Sequence, residues 1–242
     1  GQTHKPEILV GADGLHSRLR SALACEQKPN FTGQVAWRAI VDGSQSDDVN
    51  VFMGPGRHLV SYPLRGGKFT NIVAVEEHSD WADEGWHHPG VPDELRRAFS
   101  SFCPQVGKLL DQIEQTNIWG LFRHPVAKNW HRGQSVIIGD AAHPTLPFLA
   151  QGANMALEDG WELADCIGHL PIEQALPAFQ QRRFSRVSKI VAAADANARN
   201  YHLRNPVIRM MAHTGLRIAG AVAPDKVVGK FDWVYGYDAT RQ

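Results

Sequence analysis

The sequence predicts a mixed α/β chain: an antiparallel sheet inserted between two stretches of an α/β layer, with helices at the C-terminal end. Three observations predict it. Residues 34–75 hold four strand-like runs divided by turn signals. Residues 135–138, SVII, are a short continuous apolar run, the kind buried on both faces of a parallel sheet. From residue 173 onward the pattern is helical, with Pro206 and Pro224 as breaks.

Taken in order, the first strand candidate is Glu7–Val10, EILV, which runs into GADGLHSRLR. A domain rarely opens on a buried strand, so a preceding segment is expected in the intact protein. The runs QVAWRAIV, NVFMG, RHLVSYPL and KFTNIVAV follow, separated by Asp42-Gly43-Ser44, Gly54-Pro55-Gly56 and Gly66-Gly67. The Gly-Gly pair between two strand-like runs marks a hairpin. Residues 80–92 read as a loop in which Trp81, Trp86, His87 and His88 cluster, a feature explained by core or lid packing. Pro92 and Asp93 open a helix, DELRRAFSSF, and a second short helix is expected over 105–114 after Pro104. Residues 117–123, NIWGLFR, return as a strand. The helix after SVII is expected to bury a stripe of Ala156, Gly160, Ala164 and Ile167, with Leu157 and Leu163 beside it.

Composition narrows the function classes. The 242 residues are 43% apolar and 21% charged, which is globular and neither disordered nor membranous. Lys and Arg number 25 against 25 Asp and Glu, so nothing calls for a nucleic-acid partner. The excess of basic residues after residue 170 reads as a solvated helical face. Cys25, Cys103 and Cys166 lie far apart without a CxxC, so neither a zinc site nor a disulfide framework is indicated. A reduced, cytoplasmic compartment fits that usage. No HExxH or other metal spacing occurs among the twelve histidines, no apolar run reaches membrane-span length, and the opening GQTHKPE is not a signal peptide.

The stretch that carries chemistry is IGDAAHPTLPFLAQGANMALED, residues 138–159. Ligands of open α/β sheets sit beyond the carboxyl ends of the strands, where Asp140 stands ready to accept hydrogen bonds from ligand hydroxyls. Gly139, Ala141 and Ala142 let a flat or extended ligand approach the backbone. Gln151-Gly152-Ala153-Asn154 begins a helix whose unpaired N–H groups and positive dipole end favour negative charge. A reduced flavin carries such charge at its N1–C2=O edge, and a helix start placed there would raise its reduction potential. Singly, an Asp after a strand is a helix cap and Gly-Asn is turn chemistry; the joint pattern GDAAHPxxP-xxx-QGxN-xxx-ED is what points to the cofactor.

With these residues the sequence resembles the group A flavoprotein monooxygenases, the FAD-dependent aromatic hydroxylases. Residues 139–159 resemble the family's GD motif, and Gly11-Ala12-Asp13-Gly14-Leu15-His16-Ser17-Arg18-Leu19-Arg20 resembles its DG motif, in the family's order. AQGANMALEDGWELA, HLVSYPLR and WVYGYDA are similar to the subset acting on salicylate, 3-hydroxybenzoate or 6-hydroxynicotinate-like rings. The resemblance implies part of a three-layer FAD-binding domain (residues 1–30 with the DG motif and 119–175 with the GD motif), a substrate-binding antiparallel sheet domain over 31–118, and a helical region over 176–242. It implies that Asp140 binds the ribitol or diphosphate-proximal part of FAD and that Pro147 lies against the isoalloxazine face. Gly139 belongs to the same motif. Gly152, Ala153 and Asn154 would contact the pyrimidine edge, while Asp13 and Arg20 belong to the motif linked to both FAD and nicotinamide. The chain lacks the strand–GxGxxG–helix unit that binds the ADP part of FAD in this family. The expectation is therefore the C-terminal part of a longer enzyme, with weak or absent FAD binding by this chain alone, and association with itself as a homodimer or with the missing part.

On the substrate side, strand alternation puts His58, Val60 and Tyr62 on one face. The resemblance implies that His58 and Tyr62 contact the phenolic substrate. An imidazole titrating near neutral pH suits deprotonating or orienting the ring hydroxyl, with Tyr62 holding the same oxygen or a carboxylate. Arg38, opposite in facing to Trp37 and Ala39, is a second candidate for a substrate carboxylate. His143 reads as a structural residue of its loop. The implied reaction is hydroxylation of a small phenolic or heteroaromatic acid with NADH or NADPH and dioxygen through a flavin C4a-hydroperoxide. The rival expectation is a non-catalytic association module; a third keeps FAD but changes the chemistry to epoxidation, reduction or halogenation.

Overall fold

The computed structural model describes residues 6–23, 28–44, 46–80, 85 and 88–241. Cys25, Trp81, Trp86 and His87 lie outside the described residues. The architecture is mixed α/β, and the chain divides into two compact units: Gly1–Asn30 with Arg123–Asn197 and Arg217–Gln242, and Phe31–Phe122 with Ala198–Leu216.

The second unit is built on the antiparallel runs. β2 (Asn30–Asp42), β3 (Asn50–Gly54), β4 (Arg57–Leu64), β5 (Phe69–Glu77), β6 (His88–Gly90) and β7 (Thr116–Arg123) form one sheet in the order β3-β4-β5-β2-β7-β6. The β4–β5 hairpin turns where expected, with Arg65, Gly66 and Gly67 at φ of 51°, 66° and 82°. Two adjacent glycines make that backbone accessible. In register, Tyr62 faces Asn71 and Asn71 faces Ile40; one step along, Val60 faces Val73 and Val73 faces Arg38. Alternation then separates two faces. Trp37, Ala39, Leu59 and Ile72 pack into a core with Leu95 and Phe99 of the helical segment after β6. That segment is α2 (Pro92–Ala98) and α3 (Pro104–Asp111), each with proline in its first turn. Arg38, Val60, Tyr62 and Asn71 take the other face.

The first unit carries a three-stranded sheet in the order β1 (Leu9–Gly11), β9 (Ser135–Ile137), β8 (His131–Arg132). β1 and β9 run parallel, Val10 beside Val136, and β9 is buried as its apolar run predicts. β1 is not: Leu9 and Val10 remain 47% and 42% exposed. The short α1 (Arg18–Leu23) follows β1 closely, and a Cβ at Gly11 would lie 2.8 Å from Leu19. Helices α4 (Gly152–His169) and α5 (Ile172–Tyr201) supply most of the core around Trp130, Met155, Phe179 and Ile190. α6 (Pro206–Val222) and α7 (Pro224–Gly229) begin at the prolines read as breaks from sequence, and α8 (Asp232–Tyr235) follows.

One expectation about α4 fails. Its buried residues are Met155, Asp159, Glu162, Leu163 and Cys166, whereas Leu157 is 73% exposed. Two of these five are carboxylates, because Asp159 and Glu162 meet arginines of α5. A hydrophobic stripe cannot reveal a face buried by ion pairing. Among the described residues no helix is long and apolar enough to cross a membrane.

Candidate functional site

The first unit opens a cleft of about 820 Å³ where β9 runs out. Ile138 N–H still pairs with the Gly11 carbonyl at 3.0 Å, and then the chain turns away from the sheet at Gly139, φ 59°. A Cβ at Gly139 would sit 3.1 Å from that of Ala156, so glycine answers both the turn and the close approach of α4. Asp140 follows, exposed within the cleft. The loop then reaches Pro147, and Ala150 adopts a left-handed φ of 51° to redirect it into α4. Gln151, buried, occupies the cap position but makes no side-chain cap hydrogen bond. The first backbone N–H groups of this 18-residue helix therefore remain for a ligand, at its positive dipole end.

Gly139, Asp140, Pro147, Gly152 and Ala153 all line this cleft. Asn154 is exposed on the first helical turn, outside the lining residues. Asp13 stands off the cleft and caps α1, its Oδ2 accepting the Arg18 and Leu19 N–H groups at 2.9 and 3.4 Å. Its pKa is lowered, first by the Ser17 hydroxyl and then by these backbone donors. The cap sets its neighbours Ala12 and Gly14, which do line the cleft. Arg20 braces the loop from behind, donating to the carbonyls of Ala141, Ala142 and Pro125 at 3.2, 3.4 and 2.6 Å.

Beneath the cleft lies a set of residues that sequence reasoning missed. Asp159, fully buried, accepts the Gly139 N–H at 2.9 Å and the His143 Nε2–H at 2.5 Å on one oxygen, and Arg183 Nε at 2.8 Å on the other. A carboxylate can only accept, so His143 presents its N–H at Nε2. His143 thus holds its loop, as its place in the motif suggested. Desolvation works to raise the Asp159 pKa, but His143 and Arg183 hold it below the ordinary carboxylate value. The spacing ED with two arginines a helix later was the available signal, and it reads in sequence as a charged surface.

In the second unit the expected substrate residues share one sheet face. Arg38 Nε donates to Asn71 Oδ1 at 3.2 Å, and Asn71 lies beside Tyr62 in register. Asn71, fully buried, went unmarked in the sequence. His58 is 2% exposed, with Nδ1 at 2.7 Å from His202 Nε2 and its ring 5.1 Å from that of Tyr201. His202 Nδ1 in turn lies 3.3 Å from Glu77. The expectation of near-neutral titration is overturned: desolvation, then the His202 charge, lower the His58 pKa to about 3.

The described residues hold no group of three His, Cys, Asp or Glu placed to bind a metal ion. Comparison with known proteins bears on what the cleft holds. The family model described as FAD binding domain matches residues 1–194. The 3-amino-4-hydroxybenzoate 2-monooxygenase PtmB3 of Streptomyces platensis is 30% identical, over 99% of this chain and 61% of that protein. The 3-hydroxybenzoate 6-hydroxylase of Polaromonas naphthalenivorans is 32% identical, over 98% of this chain and 60% of its own length. A salicylate hydroxylase solved as a substrate complex shares the fold, with a TM-score of 0.83 at 24% identity, over 99% of this chain and 64% of that one. The chain thus spans roughly three fifths of these relatives' length.

Proposed function

The chain belongs to the family of FAD binding domains, and we propose that it serves an FAD-dependent monooxygenase that hydroxylates a small phenolic or heteroaromatic acid. The observation that carries the reading is the cleft in the first unit: a small-residue turn, a free carboxylate and an uncapped helix start converge on one space. That donor set fits FAD. Asp140 would accept from the ribityl hydroxyls, Pro147 would offer a flat apolar wall, and the N–H groups at Gly152 and Ala153 would meet the anionic pyrimidine edge. Asp13 and Arg20 act one step back, on the backbone that shapes the cleft. Bound FAD supplies the redox chemistry, taking electrons from NADH or NADPH and activating dioxygen.

For the substrate we propose the sheet face of Arg38 and Tyr62. The Arg38 guanidinium, steadied by Asn71, suits a ring carboxylate, and the Tyr62 hydroxyl suits the phenolic oxygen. His58, neutral and with a pKa of about 3, is a poor proton store. Its role in this reading is to orient the ring hydroxyl rather than to carry the proton away. A need for a nicotinamide co-substrate and the sparing use of cysteine favour a cytoplasmic setting in this reading, and the exposed apolar side chains of α6 suit association with a second copy.

The test supplies the intact protein carrying this sequence with FAD, NADH or NADPH, and a panel including salicylate and 3-hydroxybenzoate. NAD(P)H oxidation and the mass of the product are followed. An oxygen atom gained by one of the acids is expected, with FAD affinity falling about tenfold or more in Asp140→Ala. Absence of FAD uptake, indifferent to Asp140, would end the reading. FAD uptake without an oxygenated product would transfer it to another flavin reaction.

A further inference from the structure

The C-terminal segment of the first unit reaches both rims of the cleft through Arg186 and Tyr235, which no cofactor motif includes. Arg186 of α5 pairs with both Glu158 oxygens at 2.9 and 2.8 Å. The same guanidinium donates to the carbonyls of Trp233 and Val234 at 2.7 and 3.1 Å and lies 3.7 Å over the Tyr237 ring. Glu158 also meets Arg183 at 2.7 Å. Arg183 holds Asp159, and Asp159 holds the Gly139 N–H. An unbroken chain of charge-assisted contacts therefore runs from the tail to the turn that opens the cleft. The other rim is reached at one remove: the Tyr235 hydroxyl donates at 3.2 Å to the carbonyl of Leu149, which precedes the lining residue Ala150.

The arrangement has a mechanical logic. A planar guanidinium with five donors is the side chain suited to join a carboxylate to two carbonyls at fixed angles. Charges paired in the interior keep their geometry because any departure leaves one of them unpaired. Ala150, a residue with a Cβ, holds left-handed backbone, which persists only where its surroundings over-determine it. The Tyr235 contact to its neighbour Leu149 supplies part of that determination.

We propose that residues 231–237 form a brace for the FAD cleft, with Arg186 and Tyr235 as positioning residues that set its two rims without touching the cofactor. The proposal rests on the FAD reading above. It is tested with Arg186→Lys, Tyr235→Phe and a control, Lys189→Gln, which removes a tail contact over Trp233 that leads to neither rim. Two quantities are measured: the FAD dissociation constant of the intact protein, and deuterium exchange of peptides spanning 138–150 without FAD. Tyr235→Phe is expected to weaken FAD about fivefold, and Arg186→Lys about tenfold or more. Exchange over 138–150 should quicken in both, while peptides from the second unit stay unchanged. Lys189→Gln should match the wild type in both measurements. The brace is overturned if FAD affinity and 138–150 exchange in the two variants stay as in the wild type. A wild-type protein that takes up no FAD overturns the parent reading instead, and the exchange measurement, made without FAD, keeps the two failures apart.

Discussion

Under α4, two carboxylates meet two guanidiniums: the buried Asp159 and Arg183, and the half-buried Glu158 and Arg186. Under β4, two imidazoles are buried together, with the half-buried Glu77 meeting only the outer one. Both clusters are polar and shielded from water, yet burial acts on them in opposite ways. In the first, partners of opposite sign outweigh desolvation, so the Asp159 pKa falls and the Arg183 pKa rises. In the second, desolvation dominates and both imidazoles are held neutral, with His58 and His202 lowered. The lesson is that burial alone does not say which ionisation state survives; the partners decide. The first cluster sets backbone geometry around a cleft. The second gives a sheet face an uncharged hydrogen-bonding ring.

The largest effect should come from unbalancing the ionic cluster. Asp159→Asn leaves Arg183 short of one charge and weakens the hold on Gly139. Loss of one partner from such a buried pair costs about 3–5 kcal/mol, which urea unfolding at neutral pH should show. A cost under about 1 kcal/mol would mean that the cluster is solvated.

Acid is the next lever, and it acts on the imidazoles. The folded His58 pKa of about 3 lies below the ordinary value of 6.5. Between those values the unfolded chain binds a proton that the folded chain refuses, so stability rises with pH and is lost as pH falls. Facing His58 and His202 are Tyr201, Gln34, Glu77, Arg57 and Arg204. By about pH 4 the loss from His58 should reach about 3 kcal/mol. His58→Gln should flatten this limb of the stability profile while leaving the neutral plateau in place. An unchanged slope would show that His58 titrates normally in the fold.

The smallest effect sharpens the contrast between faces of α4. Leu157→Gln should change stability by no more than about 0.5 kcal/mol, since the side chain is 73% exposed. As Leu157 lines the cleft, FAD affinity should respond where unfolding does not.

Much of this was open to reading along the chain. The four antiparallel strands, the Gly66-Gly67 hairpin, the buried β9 and the helix starting at Gly152 follow from short-range rules: alternation, turn residues, caps and breaks. The convergence of Gly139, Asp140, Pro147, Gly152 and Ala153 was legible because they lie within one continuous stretch. The stripe assigned to α4 failed because hydrophobic periodicity sees only apolar burial. Asn71 and His202 were unmarked because nothing near them in sequence distinguishes a buried amide or imidazole from an exposed one.

The sequence by itself determined the local elements and the loop that lines the cleft, since both depend on neighbours within a few residues. Only the tertiary structure decided which charges pair, which histidines stay neutral and what the C-terminal tail holds. Those outcomes join Arg186 to Glu158 and to Trp233, and His58 to His202, across separations where the cost of closing the loop is met by the fold as a whole and leaves no local pattern.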